Sequence, residues 1–246
     1  MRLGELSFVE VAALEPASCI VLLPIGATEA HGPHLPLLTD GYLSEALADR
    51  VARALAPQPA LIAPTVHYAK TDYASEFSGT ISVRQETSTC LVAEIVTSLQ
   101  AQGFTRVCLV NNHLEPNHIA SLQEACARVR AATGHAVGFP DQTEKRWART
   151  LTEEFKRGDC HAGRYETALM LAARPALVDE AVRAALPEVP ISLVAQMRSG
   201  KQRFVEMGAD RAYFGDPASA TAKEGEAIFA LLVTMVTTVI AETWDE

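Results

Sequence analysis

Three short runs of this chain are apolar at consecutive positions rather than at alternate ones: residues 19–23 (CIVLL), 61–64 (LIAP) and the centre of 106–111 (RVCLVN). A strand with that pattern has no face to offer water, so both its sides must be covered. Between the runs the spacing changes. Leu43, Leu47, Val51 and Leu55 recur four apart within 43–56, which predicts a helix with one apolar face. Residues 87–102 repeat in the same way through Leu91, Ile95 and Leu99 and stop at Gly103. Further helices are predicted over 119–132, ended near Gly134, and from 167 to 173, with another strand over 135–139. Buried strands alternating with amphipathic helices predict an α/β fold: a single layered domain over residues 1–246, with a mostly parallel sheet flanked by helices. Its sequence holds no Pro-, Gly- or Ser-rich linker and no internal repeat.

Composition excludes several classes of function. A formal net charge of −9 argues against a general affinity for nucleic acid or for an anionic membrane. The longest apolar stretch, 227–241 (AIFALLVTMVTTVIA), falls short of the about 18–20 residues of a membrane span and carries three threonines, so a core helix is expected there. Five cysteines, an odd number without CxxC spacing, suggest free thiols in a reducing compartment. The first residues, MRLGELSFVE, place charges where a secretory signal would be apolar. A cytoplasmic protein is expected.

The segment after the first strand is unlike a surface turn. Residues 28–40, TEAHGPHLPLLTD, hold Glu29, His31, His34 and Asp40. Asn111-Asn112-His113-Leu114-Glu115 follows the third strand in the same way. In open parallel α/β sheets, ligands collect beyond the carboxyl ends of the strands, so both loops should open on one edge. In an extended segment residues i and i+2 point the same way, which pairs Glu29 with His31 and His113 with Glu115. Glu29, His31, Asp40, His113 and Glu115 are a mixed oxygen and nitrogen set suited to two divalent ions, zinc or manganese, with Asp40 able to bridge. The plainer alternatives are an N-cap role for Asp40 and a hydrogen-bonded support role for His34.

A third stretch, Asp159-Cys160-His161-Ala162-Gly163-Arg164-Tyr165-Glu166-Thr167, precedes an apolar helix. His161 is a candidate general acid or base, oriented by Glu166 or Asp159. Cys160 reads as a small buried thiol, with a soft-ligand role as the alternative. Trp147 is a candidate pocket wall or a helix-surface residue.

These segments, LPIGATEAHGPHLPLLTD, VNNHLEPNH and DCHAGRYETA in this order, resemble those of the creatininase family, the creatinine amidohydrolases and their relatives. FSGTISV at 77–83 and GDPASATAKEGEAIF at 215–229 extend the resemblance over nearly the whole chain. It implies a metal-dependent hydrolase of a non-peptide or cyclic amide C–N bond, often a hexamer. It further implies that Glu29, Asp40 and His113 hold one metal and that His31, Asp40 and Glu115 hold a second. His161 matches a proton-shuttling residue, with Glu166 behind it. Many relatives carry Asn-Gly-His-Gly-Gly-Asn where this chain has residues 111–117; Glu115 resembles the creatinine-hydrolysing members, whereas Asn112 and Pro116 depart from the pattern.

The expected activity is hydrolysis of a small or cyclic amide by water activated between two ions. Alternatives are a related enzyme of a biosynthetic pathway (a formyl-amide deformylase, a peptide-trimming hydrolase, or a ring-closing enzyme running in reverse) and a catalytically silent metal-binding protein. With no GxSxG elbow, serine-nucleophile chemistry is disfavoured. A small-molecule amide is the expected partner, met by a homo-oligomer. Specificity is expected from residues 68–77 and 142–164.

Overall fold

A computed structural model describes residues 1–244 of the chain. Four strands form one parallel sheet: β1 (Ile20–Ile25), β2 (Ala60–Ile62), β3 (Arg106–Asn111) and β4 (Val137–Gly138), in the order β2-β1-β3-β4. The helices that matter to the site are α1 (Thr39–Ala54), α2 (Gln85–Ala101), α3 (Pro116–Thr133), α4 (Arg164–Ala173) and α5 (Ala222–Trp244). The expected α/β fold is what forms, and the strands are short.

Period-two geometry sorts the strand side chains into two cores. Ile20 and Leu22 of β1, with Cys108 and Val110 of β3, pack against α1, α4 and α5. Val21, Leu23 and Ile25, with Val107 and Leu109, pack against α2 and α3 on the opposite face. Both faces are therefore dry, as the unbroken apolar runs require. In α1 the predicted stripe is the buried one, with Leu43, Leu47 and Val51 inside and Leu55 packed at the edge. The stripe of α2 is a correction: Val92, Val96 and Leu99 are buried, while Leu91 is 39% exposed. Two parallel apolar rows run along this helix, and contact with α3 selects the row that a four-residue repeat alone does not.

Helix α3 starts at Pro116, three residues before its predicted first residue, because proline at the first turn has no N–H to leave unbonded. Helix α5 extends the apolar stretch 227–241. It is the described helix long and apolar enough to cross a bilayer, and Ile228, Phe229, Leu232, Met235 and Val236 are spent on the core.

The register places the site. Ile25 at the end of β1 pairs with Asn111 at the end of β3, so the loops that follow emerge side by side. Ser44 Oγ of α1 donates to the Ile25 carbonyl at 2.6 Å and accepts from Asn112 Nδ2 at 3.0 Å, tying the two strand ends together. Gly26 passes against the first turn of α1: a Cβ there would come within 2.8 Å of the Asp40 Cβ and still closer to backbone. That close approach sets Asp40 beside the strand end.

Candidate metal centre

Six buried side chains from five places in the fold converge beyond β1 and β3. Glu29 and His31 come from the loop after β1, Asp40 from the first turn of α1, His113 from the loop after β3, His161 from the segment before α4, and Glu166 from its first turn. The histidines are held in one orientation by backbone carbonyls, which can only accept. His31 Nδ1 donates to the Glu29 carbonyl at 3.1 Å, His113 Nε2 to Lys70 at 2.8 Å and His161 Nε2 to Ala30 at 3.0 Å. A ring nitrogen that donates carries the hydrogen, so in the neutral ring the other nitrogen turns its lone pair inward.

Those inward nitrogens meet carboxylate oxygens. His113 Nδ1 lies 3.2 Å from Glu29 Oε1 and 3.3 Å from Asp40 Oδ2; His31 Nε2 lies 3.1 Å from Asp40 Oδ1 and 3.6 Å from Glu166 Oε2. Lone pairs do not face one another at such distances without a proton or cation between them. Metal bonds of about 2.0–2.2 Å put neighbouring ligand atoms about 2.9–3.4 Å apart, which is the spacing seen here. The ligand-type atoms form three groups: Glu29 with Asp40 and His113; His31 with Asp40 and Glu166; and Glu29 with His31 and His161. Asp40 offers one oxygen to each of the first two.

Glu115 is the residue before α3, and its carboxylate caps nothing there. Oε2 accepts from the Tyr73 N–H at 3.2 Å, and Oε1 is buried without a partner, facing the same cavity. The second group thus contains Glu166 where the resemblance implied Glu115, while Glu115 lines the same cavity. Asp40 is not the N-cap of α1; Leu38 holds that position and Asp40 sits inside the first turn.

Charge explains why the cluster demands cations. Burial opposes charge on His31, yet Asp40, Glu166 and Glu29 together outweigh it and push the ring up to about 10. His113 is likewise raised by Glu29 and Asp40 against burial. Burial pushes Glu166 up to about 8 and Glu115 up to about 7. Burial also brings His161 down to about 4, helped by the neighbouring His31. His113 and His31 hold Glu29 and Asp40 below the usual carboxylate range, whereas Glu166 and Glu115 are raised, and the charge of two divalent ions would balance all four carboxylates.

The surroundings hold residues that no sequence pattern singled out. Thr71 Oγ1 donates to Glu29 Oε2 through a short hydrogen bond. His118 stacks on His113 with ring centroids 4.7 Å apart, and Phe204 covers His161 at 4.5 Å. Glu154 accepts from the Arg164 and Tyr165 N–H groups at 2.8 and 3.2 Å, capping α4 in place of Gly163, which has no side chain to do so. A Cβ on Gly163 would strike that carboxylate and come 2.6 Å from the Phe214 carbonyl. No spacing rule links these positions; all are joined by tertiary contact.

Other candidates fall outside the cluster. His34 donates to or accepts from Thr167 Oγ1 at 2.9 Å, bracing α4. Asp159 pairs with Arg157 at 3.2 Å instead of orienting His161. Trp147 is half-buried with the Arg146 guanidinium 4.5 Å over its ring and does not line the cavity, whereas Cys160 does. Burial holds the Cys160 thiol well above its ordinary range, so it stays neutral.

Residues 4–240 match the family model for creatininase, creatinine amidohydrolase. The chain belongs to the creatininase family. It is 34% identical over 239 residues to the mycofactocin precursor peptide peptidase of Mycobacterium tuberculosis (strain CDC 1551 / Oshkosh), covering 94% of this chain and 88% of the relative. It is 31% identical over 194 residues to the creatinine amidohydrolase of Pseudomonas putida, covering 72% and 73%. Among solved structures, a manganese creatininase superposes with a TM-score of 0.75 at 24% identity, covering 100% of this chain and 99% of its own; a zinc–zinc mutant creatininase has the same score and identity, covering 100% and 98%. Family membership makes this chain a hydrolase acting on C–N bonds, built as a parallel sheet flanked by helices.

Proposed function

We propose that the chain is a binuclear, metal-dependent amidohydrolase whose ions are held by the groups that Asp40 joins. Glu29, Asp40 and His113 would hold one ion. His31 and Asp40 would hold the second, with the carboxylates of Glu166 and Glu115 to complete it. The observation that carries this reading is the set of inward lone pairs on carbonyl-anchored histidines, 3.1–3.3 Å from the oxygens of one shared aspartate. Bound zinc or manganese supplies Lewis acidity that makes water nucleophilic near neutral pH.

The chain's own residues do the rest. His161 keeps its hydrogen on Nε2 against Ala30 and presents a free Nδ1 to the cavity, 3.8 Å from Glu29 Oε1. Its lowered pKa leaves it neutral in the resting enzyme, so it takes a proton at Nδ1 from the attacking water and returns it to the departing nitrogen. Thr71 and Tyr73 fix the carboxylates of Glu29 and Glu115, and the Phe204 ring packs against His161.

For the substrate, two relatives point in different directions: one is named for creatinine and the other for a precursor peptide. The higher coverage of the peptidase, 94% of this chain against 72%, supports a peptide-trimming role over a small cyclic amide. Five free cysteines support work in the cytoplasm, and the adjoining side chains of Phe8 and Val9, 85% and 61% exposed, support a homo-oligomer. The reading is tested by measuring metal content together with hydrolysis of creatinine, a formamide and a peptide panel. A metal-stripped preparation that turns over as fast as the loaded one would sink it.

A further inference from the structure

The cavity over the ligand cluster is small, about 40 Å³, and it does not end at its walls. Leu114, Cys160, Leu193 and Met197 line it and also line a neighbouring groove of about 540 Å³. The groove runs between the first half of α3 and the short helix Leu193–Arg198, over a floor that includes Ile119, Ala120 and Phe155. The roof is fixed: Val194 N–H donates to the Gly158 carbonyl at 3.2 Å, and Ser192 Oγ to the Arg157 carbonyl at 2.6 Å. Space of this kind, mostly apolar with a few polar groups at its edge, is what a ligand-sized subsite looks like, at about 300–1,000 Å³.

We propose that this groove is the subsite for the chain flanking the scissile amide, and that its occupant is a peptide segment with apolar side chains. The inference rests on the amidohydrolase reading above for where cleavage occurs. A single small ring fills the ligand cavity and leaves the groove to water. A peptide uses both: its amide reaches the ligand cluster past Leu114 and Leu193, and its side chains cover Ile119, Ala120 and Phe155. The rim favours a peptide over a fatty acyl chain, because Gln123 and Thr143 bring amide and hydroxyl groups that a peptide backbone can bond and an alkyl chain cannot. Arg198 adds positive charge at the same rim, which an acidic group on the peptide would meet, whereas Lys156 is already paired with Glu153 at 2.7 Å.

The test is equilibrium binding to the metal-loaded protein, read by fluorescence of a dansylated tripeptide amide carrying leucine and phenylalanine, with a dodecanoyl amide as competitor. Ala120→Trp fills the floor, and Gln123→Trp, at an exposed position that should not disturb folding, narrows the rim. Both variants should raise the peptide Kd at least tenfold while bound metal per chain stays at the wild-type level. An unchanged Kd in both, or no binding by the wild type at millimolar peptide, overturns the assignment, as does a dodecanoyl amide that binds more tightly than the peptide. Binding that is lost in the variants without hydrolysis of any amide by the wild type would retain the groove and remove the amidohydrolase reading.

Discussion

His161 donates from Nε2 to the Ala30 carbonyl at 3.0 Å, across 131 positions of sequence. One hydrogen bond thus seats the His161 ring, the proposed proton carrier, against the loop that also bears Glu29 and His31. It fixes which ring nitrogen is free, and it makes the segment before α4 part of the same centre as the segment after β1.

Asp40 is the residue both ion groups share. Asp40→Ala should lose both ions and lower kcat/KM by at least about a thousandfold, or about 4 kcal/mol of barrier. Metal analysis by mass spectrometry beside amide turnover checks this; retention of one full equivalent would show that the aspartate does not bridge.

Glu166 belongs to the second group and Glu115 lines the cavity over it, so their variants separate their roles. Glu166→Gln and Glu115→Gln should each weaken retention of one ion and leave the other in place. A Glu115→Gln enzyme with full metal and full rate would take Glu115 out of the centre.

Removing the histidine base should leave the ions alone. His161→Ala is expected to keep its metal and lose about 10²–10⁴-fold in rate. Loss of metal would make His161 a ligand, as its grouping with Glu29 and His31 allows.

Metal binding should release protons. In the metal-free chain His31 titrates near 10 and Glu166 near 8, and both carry protons at pH 7 that an ion must displace. Affinity should therefore rise with pH and collapse on acidification, and calorimetry in buffers of different ionisation enthalpy measures the number released. Chelation should also lower the melting temperature by on the order of 10 °C if free metal stands about a thousandfold above Kd. A proton count of zero would contradict the proposed ligands.

Glu154 gives a separate dependence on pH. Burial raises its carboxyl from 4.5 to about 8, so the native chain keeps a proton that the unfolded chain releases. Its contribution to stability is complete below about pH 4.5, drains as pH rises, and is gone above about 8. Denaturant unfolding between pH 5 and 9 should show Glu154→Gln with a flatter profile, by up to about 1.4 kcal/mol per pH unit. Parallel profiles for variant and wild type would remove Glu154 from the account.

By itself the sequence determined the layered fold and which ligand-type side chains lie behind the strand ends, because both depend on short-range pattern. Consecutive apolar residues at 19–23 and 107–110 require a sheet covered on both faces, and His113-Leu114-Glu115 behind a strand places metal-type side chains at its carboxyl end. Tertiary structure decided what depends on contact between distant segments: that Val92 and not Leu91 faces α3, that Glu166 stands beside His31, and that Glu154 rather than a local residue caps α4. Periodicity reports which residues share a face of one element. Which face is buried, and which carboxylate meets which histidine, is fixed only when the elements pack.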